Sequence, residues 1–413
     1  MEEYHIHTLS NGIRVAHRQV THTKIAHCGF TLDIGSRDEK PHQQGIAHFW
    51  EHMAFKGTRK RKSFHILNRL EAVGGELNAF TTKEKISFHA SVLDNHYEKA
   101  FELLTDITFD SVFPEKQIER ERNVILEEMA MYYDSPEESI QDEFDAVVFS
   151  DHALGFNILG TTESVRSFHR DDFKRFIAEN LDTSRVIFSS VGNVPFAKVK
   201  KLAEKYLADI PTYTAQRQRE PFLHFAPQRI IRQRAVTQAQ CALGRTAYPI
   251  GHADRLPFFM LVNILGGPGM NSKLNLALRE KHGFVYSVEA NYSPFLETGL
   301  MAIYFGTEPK QLQKSLSLIG KELKLLRDKK MGTLQLHTAK EQLMGQLAMS
   351  EESNLSFMLM MGKSLLDTER IDALPDIFEQ IRCVNAEQLR DLANEMLDEN
   401  EWSQLLYLPE ENE

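Results

Sequence analysis

With 413 residues, 42% of them hydrophobic and 26% charged, the chain has the make-up of a soluble globular protein and enough length for two or three domains with sizeable cores. A formal net charge of −10 argues against nucleic acid as a partner, because phosphate binding needs a basic surface, and it leaves room for basic peptides. No apolar run reaches the length of a membrane-spanning helix, and Cys28, Cys241 and Cys383 are too scattered and odd in number for a disulfide framework, so no membrane association and a reducing compartment are expected.

The opening Met1-Glu2-Glu3-Tyr4-His5 has neither a basic nor an apolar targeting character, which makes the cytoplasm the expected location. Residues 12–17 and 25–32 have strand character. The next helical segment carries His48-Phe49-Trp50-Glu51-His52. At about 100° per residue, His52 falls about +40° and Glu51 about −60° from His48, so two imidazoles and a carboxylate share one face. Ile46, Phe49, Trp50 and Met53 occupy the other face, which predicts a largely buried helix. Imidazoles four residues apart can grip one metal ion while the carboxylate acts on a metal-bound water, the H-x-x-E-H order of inverzincin sites. The same five residues also fit an ordinary solvated helix face, and a third ligand has to decide.

Gly74-Gly75 is a glycine turn into the extended stretch Glu76-Leu77-Asn78-Ala79-Phe80-Thr81, which by itself suits a hairpin turn into a core strand. Residues 86–92 are strand-like. A helix from Lys99 breaks at Ser111 to Pro114, and a second runs from Pro114 to Tyr133, ended by Asp134-Ser135-Pro136. With Glu121 at zero, Ile118, Val124, Ile125 and Met129 lie within about 80°, Glu128 at about −20° and Glu127 at about −120°. Two carboxylates inside an apolar stripe are costly to bury unless paired or bound to a cation, and helical phase selects Glu128 over Glu127 as the third ligand.

After a strand at 185–191, segment 211–229 combines three prolines with a polar run from Thr214 to Glu220, which predicts a linker between domains 1–210 and 230–413. In the second half, Leu265-Gly266-Gly267-Pro268-Gly269-Met270-Asn271-Ser272 leads into a helix reaching His282 and then Gly283-Phe284-Val285-Tyr286. Lacking a G-K-[ST] ending or G-x-G-x-x-G spacing, this glycine loop is not a nucleotide site. Alternation with Phe284 and Val288 would turn Tyr286 inward on a strand. Residues 300–305 are strand-like, and 313–350 repeats the helix-break-helix of 99–135. Gln346 there takes the place of Glu128, and the second half has no H-x-x-E-H. Strands alternating with long helices point to an α+β sheet-and-helix domain made twice, with one metal site.

On these motifs the chain resembles, over nearly its whole length, the pitrilysin family of zinc peptidases, which includes insulin-degrading enzyme and the mitochondrial processing peptidase. Glu128 lies 76 residues beyond His52, the spacing of that family's glutamate ligand. The resemblance implies one Zn²⁺ per chain on His48, His52 and Glu128, with Glu51 as general base on zinc-bound water and Glu121 fixing a ligating histidine through its other ring nitrogen. Trp50 departs from the aliphatic residue more usual there, and Pro268 interrupts a loop usually made of small residues. The implied fold is two homologous domains, each a mostly antiparallel sheet flanked by helices. Domain 1–210 would hold the zinc, and domain 230–413, without a metal site, would contact substrate. Residues 74–81 become an edge strand on which a substrate peptide pairs along Asn78, Ala79 and Phe80. Arg279 and Tyr286, seven residues apart, match a pair that reaches the peptide near the scissile bond, Tyr286 toward the developing oxyanion and Arg279 toward the peptide backbone or its carboxylate.

The implied activity is endopeptidase hydrolysis of short or unfolded peptides in a chamber. Short members of the family supply only half of the domains that enclose it, so two chains associate. Possession of both motif sets favours a homodimer, with a heterodimer as the other arrangement. The rival is a non-catalytic or partner-dependent subunit of a heterodimeric processing-peptidase-like complex, which usually lacks the motif residues. His5, His7, His42, His65, His89 and His96 show no ligand spacing with a second candidate and read as structural or surface residues.

Overall fold

The computed structural model describes residues 4–410, so Met1 to Glu3, part of the segment read as free of targeting character, and the final residues of the expected second domain lie outside the described residues. Two compact units emerge. The first takes the chain up to 129 together with 156–219 and 349–371, and the second takes 130–155, 220–348 and 372 onward.

In the first unit β1 (Tyr4–Thr8), β2 (Arg14–Gln19), β3 (Ile25–Leu32), β4 (Glu76–Thr81), β5 (Ile86–Leu93) and β6 (Val186–Gly192) form a sheet in the order β1-β2-β6-β3-β5-β4. Neighbours are antiparallel except β2 and β6. β4 closes one edge: it pairs with β5 alone among the described residues, Asn78 opposite His89, Ala79 opposite Phe88 and Phe80 opposite Ser87. Its other side is a free edge of the sheet among the described residues. One face of the sheet is covered by the motif helix Ile46–Ala54 and the helix Tyr97–Phe109, burying Phe30, Trp50, Phe88, Phe101 and Phe188 completely.

The other face is covered by the helix Asn354–Asp367, which comes from the far end of the chain and packs Met358, Met361 and Leu365 on Ala16, Ile187 and Val191. The approach is so close that a Cβ on Gly362 would lie 2.6 Å from Thr31 Oγ1. The last carbonyls of that helix face positive charge, Leu365 accepting from Arg14 at 3.3 Å and Leu366 from Arg185, which suits a helix C-terminus.

The second unit orders β7 (Arg229–Arg234), β8 (Ala239–Ala247), β9 (Val285–Pro294), β10 (Gly299–Thr307) and β11 (Ser403–Pro409) as β7-β11-β8-β10-β9, antiparallel except for β11 with β7. Helices Arg255–Gly266 and Leu312–Asp328 bury Leu261, Leu265, Ile319 and Leu323 with Val288 and Ile303. The opposite face receives the helix Pro136–Val148, whose Phe144 and Val148 pack with Ala242, Leu300, Leu405 and Tyr407. Each half of the chain therefore lends one helix to the other half's sheet. The architecture is the expected α+β one, two mostly antiparallel sheets flanked by helices.

Of residues 211–229, expected as a linker, 211–228 have no regular secondary structure and Arg229 already opens β7. They are nonetheless tied down. Arg219 grips Asp38 with two bonds of 2.8 Å, and Arg217 Nε lies 2.9 Å from Asp38 Oδ1. Further on, Phe222 packs edge-on against Phe149 at 5.1 Å. The arginines of the polar run are the counter-charges of buried carboxylates.

Gly45 precedes the motif helix at φ +91, and a Cβ there would sit 2.5 Å from the Leu159 carbonyl oxygen. The buried carboxylate of Glu39 accepts from the amides of Gly45 and Ala47, each at 2.9 Å, and so satisfies the start of the helix. Gly45→Ala is expected to destabilise the protein by about 2 kcal/mol or more, through the left-handed backbone and the clash. Equilibrium urea unfolding measures this; an unchanged midpoint would refute it.

Candidate metal centre

The motif helix buries Ile46, Phe49, Trp50 and Met53 completely, and this fixes the rotation that turns His48, Glu51 and His52 to its other side. Trp50 lies between Phe88 and Phe176, at centroid distances of 6.1 and 6.5 Å, with its Nε1 unpartnered among the described residues. The departure to tryptophan is thus confined to the core face.

Glu121 and Glu128 arrive on the helix Glu115–Tyr133. Here one expectation is corrected. Val124 is 50% exposed, whereas Arg122 is buried and donates to the carbonyls of Val165 and Phe168. The buried face, carrying Ile118, Glu121, Arg122 and Ile125, is centred about 50° from Glu121, so Glu121 lies at its rim and half-buried Glu128 just beyond it, neither in its middle. Glu127 is exposed.

At that rim the donors converge. His48 Nε2 lies 3.8 Å from Glu128 Oε1 and His52 Nε2 lies 3.5 Å from Glu128 Oε2. One ligand atom from each of the three residues lies within 4.8 Å of the others, and among the described residues no other group of histidine, cysteine and carboxylate side chains does the same. Tetrahedral zinc with ligands at about 2.1 Å puts its donors about 3.4 Å apart, so this donor set fits the ion in type and spacing. Electrostatics favour a cation as well. Burial, helped by His52, brings the His48 imidazole down to about 3, leaving it a neutral lone-pair donor. Burial pushes the Glu128 carboxyl up, with Glu121 adding to the effect against the pull of His52, a cost that a bound cation removes.

Glu121, almost fully buried, receives His52 Nδ1 at 3.0 Å and Lys56 Nζ at 2.7 Å. Burial opposes its ionisation, but those bonds outweigh it and hold the carboxyl below the usual range. Glu51 accepts from Thr81 Oγ1 at 2.6 Å. Burial pushes its carboxyl up; Thr81 and His52 oppose this and Glu128 reinforces it.

Thr81 and Lys56 are absent from the expected site. Both carried a signal: Thr81 alternates with Leu77 and Ala79 on the half-buried side of β4, and Lys56 stands four residues after His52. On the other side of β4, Asn78 and Phe80 are exposed, while Ala79 packs against the core.

Arg279 and Tyr286 belong to the second unit. Arg279 sits on a π-type helical turn, Asn275–Glu280, where a helix reaching His282 is expected; Gly283, at φ +61, leads the chain out of it. Its guanidinium carbon lies 6.0 Å from the centre of the Tyr286 ring. Simple alternation fails at Tyr286, which is 86% exposed. β9 spends three residue steps, Val285 to Val288, against two on β10, Phe305 to Thr307, and this bulge turns the tyrosine outward.

Residues 14–162 match the family model described as Insulinase (Peptidase family M16), and residues 167–343 match the one described as Peptidase M16 inactive domain. The uncharacterized zinc protease YmxG of Bacillus subtilis (strain 168) is 32% identical over 394 residues, which cover 95% of this chain and 96% of that one. A crystal structure of a protease from Helicobacter pylori superposes with a TM-score of 0.91 at 20% identity, covering 99% of this chain and 100% of that one. A peptidase M16 inactive domain from Pseudomonas fluorescens gives 0.91 at 18%, over 100% of this chain and 99% of that one. Full-length likeness to named zinc proteases, over a fold whose first unit gathers a zinc-compatible donor set, makes this chain a member of the insulinase family of zinc peptidases, peptidase family M16.

Proposed function

We propose that the chain is a zinc endopeptidase acting on short or unfolded peptides, with one Zn²⁺ on His48, His52 and Glu128 and with Glu51 as general base. The observation that carries this reading is the convergence of those three donors beside the Glu51 carboxylate. Zinc, when bound, supplies a Lewis acid that polarises the scissile carbonyl and acidifies water. Glu51 takes the proton of the attacking water and returns it to the leaving amine, two tasks that a raised carboxyl pKa serves. Thr81 occupies one oxygen of Glu51 and leaves the other for the water.

The free edge of β4 receives an extended peptide by main-chain pairing along Asn78, Ala79 and Phe80. Tyr286 and Arg279 are assigned to the peptide on their motif match, Tyr286 as donor to the oxyanion and Arg279 as a clamp on its backbone or carboxylate. Domain 1–210 holds the zinc, domain 230–413 is its metal-free companion, and two copies of the chain close the chamber. A cytoplasmic setting is supported by three free cysteines, of which Cys383 is exposed. A non-catalytic subunit would have no use for a complete donor set with a positioned base.

The purified full chain is expected to cleave a quenched fluorescent peptide, to lose activity with a chelator and to recover it with zinc. Absence of chelator-sensitive cleavage would overturn the assignment. Thr81→Val is expected to lower kcat on the order of 10-fold with KM unchanged, because it frees the base and leaves Asn78, Ala79 and Phe80 as they are. Thr81→Ser should restore most of the rate, and a fall confined to KM would argue against this role.

A further inference from the structure

We infer that Lys56 is a positioning residue of the metal centre: its ammonium holds the Glu121 carboxylate in the orientation that fixes the His52 ring. The inference rests on the zinc reading above.

Glu121 is only 6% exposed, and its two oxygens are divided between two donors, Oε1 taking His52 Nδ1 at 3.0 Å and Oε2 taking Lys56 Nζ at 2.7 Å. A buried carboxylate needs more than one donor. With Lys56 on the far oxygen, the carboxylate cannot swing about its last bond without losing a charge-assisted contact, so Oε1 stays aimed at the ring. That contact keeps the proton of His52 on Nδ1 and the lone pair on Nε2, the atom that faces Glu128. Lys56 is itself anchored, since its amide bonds to the Met53 carbonyl at 3.0 Å, just past the end of the motif helix.

The arrangement is one-sided. Among the described residues, His48 Nδ1 is buried without a hydrogen-bond partner, so no carboxylate steadies that imidazole. The orientation of the His52 ring is the one held by the chain from Lys56 through Glu121.

The test titrates Zn²⁺ alone into the full-length, metal-free protein against a chromophoric chelator. Lys56→Met, which keeps the aliphatic stem, is expected to weaken zinc binding by roughly 10-fold, at the lower end of outer-sphere effects, and Lys56→Arg to restore most of it. In a Glu121→Gln background, Lys56→Met is expected to change zinc affinity by less than about 2-fold, because the partner through which it acts is gone. A merely structural lysine would lower the melting temperature of the metal-free protein, and its effect would add to that of Glu121→Gln. Wild-type affinity in Lys56→Met, or full additivity in the double variant, overturns the inference. If the wild-type chain itself takes up no zinc, the functional assignment fails instead.

Discussion

Glu51→Gln is expected to leave a folded protein that still takes up one zinc ion per chain and hydrolyses peptide at least about 10³-fold more slowly, within the range by which positioned acid–base groups accelerate reactions. The substitution is close to isosteric. An amide oxygen can still accept from Thr81 Oγ1, so the side chain keeps its place and only its basicity disappears. The three donors are untouched, and zinc content by mass spectrometry should equal that of the wild type. Steady-state kinetics decide the matter: a kcat within 10-fold of wild type would remove Glu51 as the base.

Glu128→Ala is expected to weaken zinc binding by on the order of 10³-fold, well beyond the 10–100-fold typical of losing an outer-sphere partner, and to abolish peptidase activity at micromolar zinc. Only the imidazoles of His48 and His52 would remain, with ring centroids 4.5 Å apart and no anionic donor between them. Glu127→Ala is the matched control. Glu127 is exposed and outside the donor group, so both zinc affinity and activity should be those of the wild type. Equal losses in the two variants would show that general surface charge, and not Glu128 as a ligand, governs binding.

Much of this centre is written in one-dimensional spacing, because two histidines four residues apart on a helix have little freedom in where they point. The phase of Glu128 relative to Glu121 could also be read, but the position of the apolar stripe could not. Val124 looked like part of it and Arg122 did not, yet Arg122 is buried because the Val165 and Phe168 carbonyls accept its guanidinium. What escaped local reading depends on distant partners. The edge position of β4 follows from the sheet order, which no single segment encodes. The outward turn of Tyr286 comes from a mismatch with β10. The role of Thr81 needs β4 and the motif helix to meet. The strands at 25–32, 86–92 and 185–191 were legible because apolar alternation and β-branched residues act over short range.

The exchanged helices have a consequence for biosynthesis. Until residue 367 has left the ribosome, Ala16, Ile187 and Val191 lack the methionine-rich cover that seals their side of the first sheet. Domains usually mature in the order of translation, but the part of this chain that carries the candidate metal centre must wait for a late segment, so premature termination before that point is expected to leave an incompletely wrapped, aggregation-prone product. A gene fragment ending at the apparent midpoint would yield the same species, and co-expression of the missing C-terminal piece is the route to rescuing it.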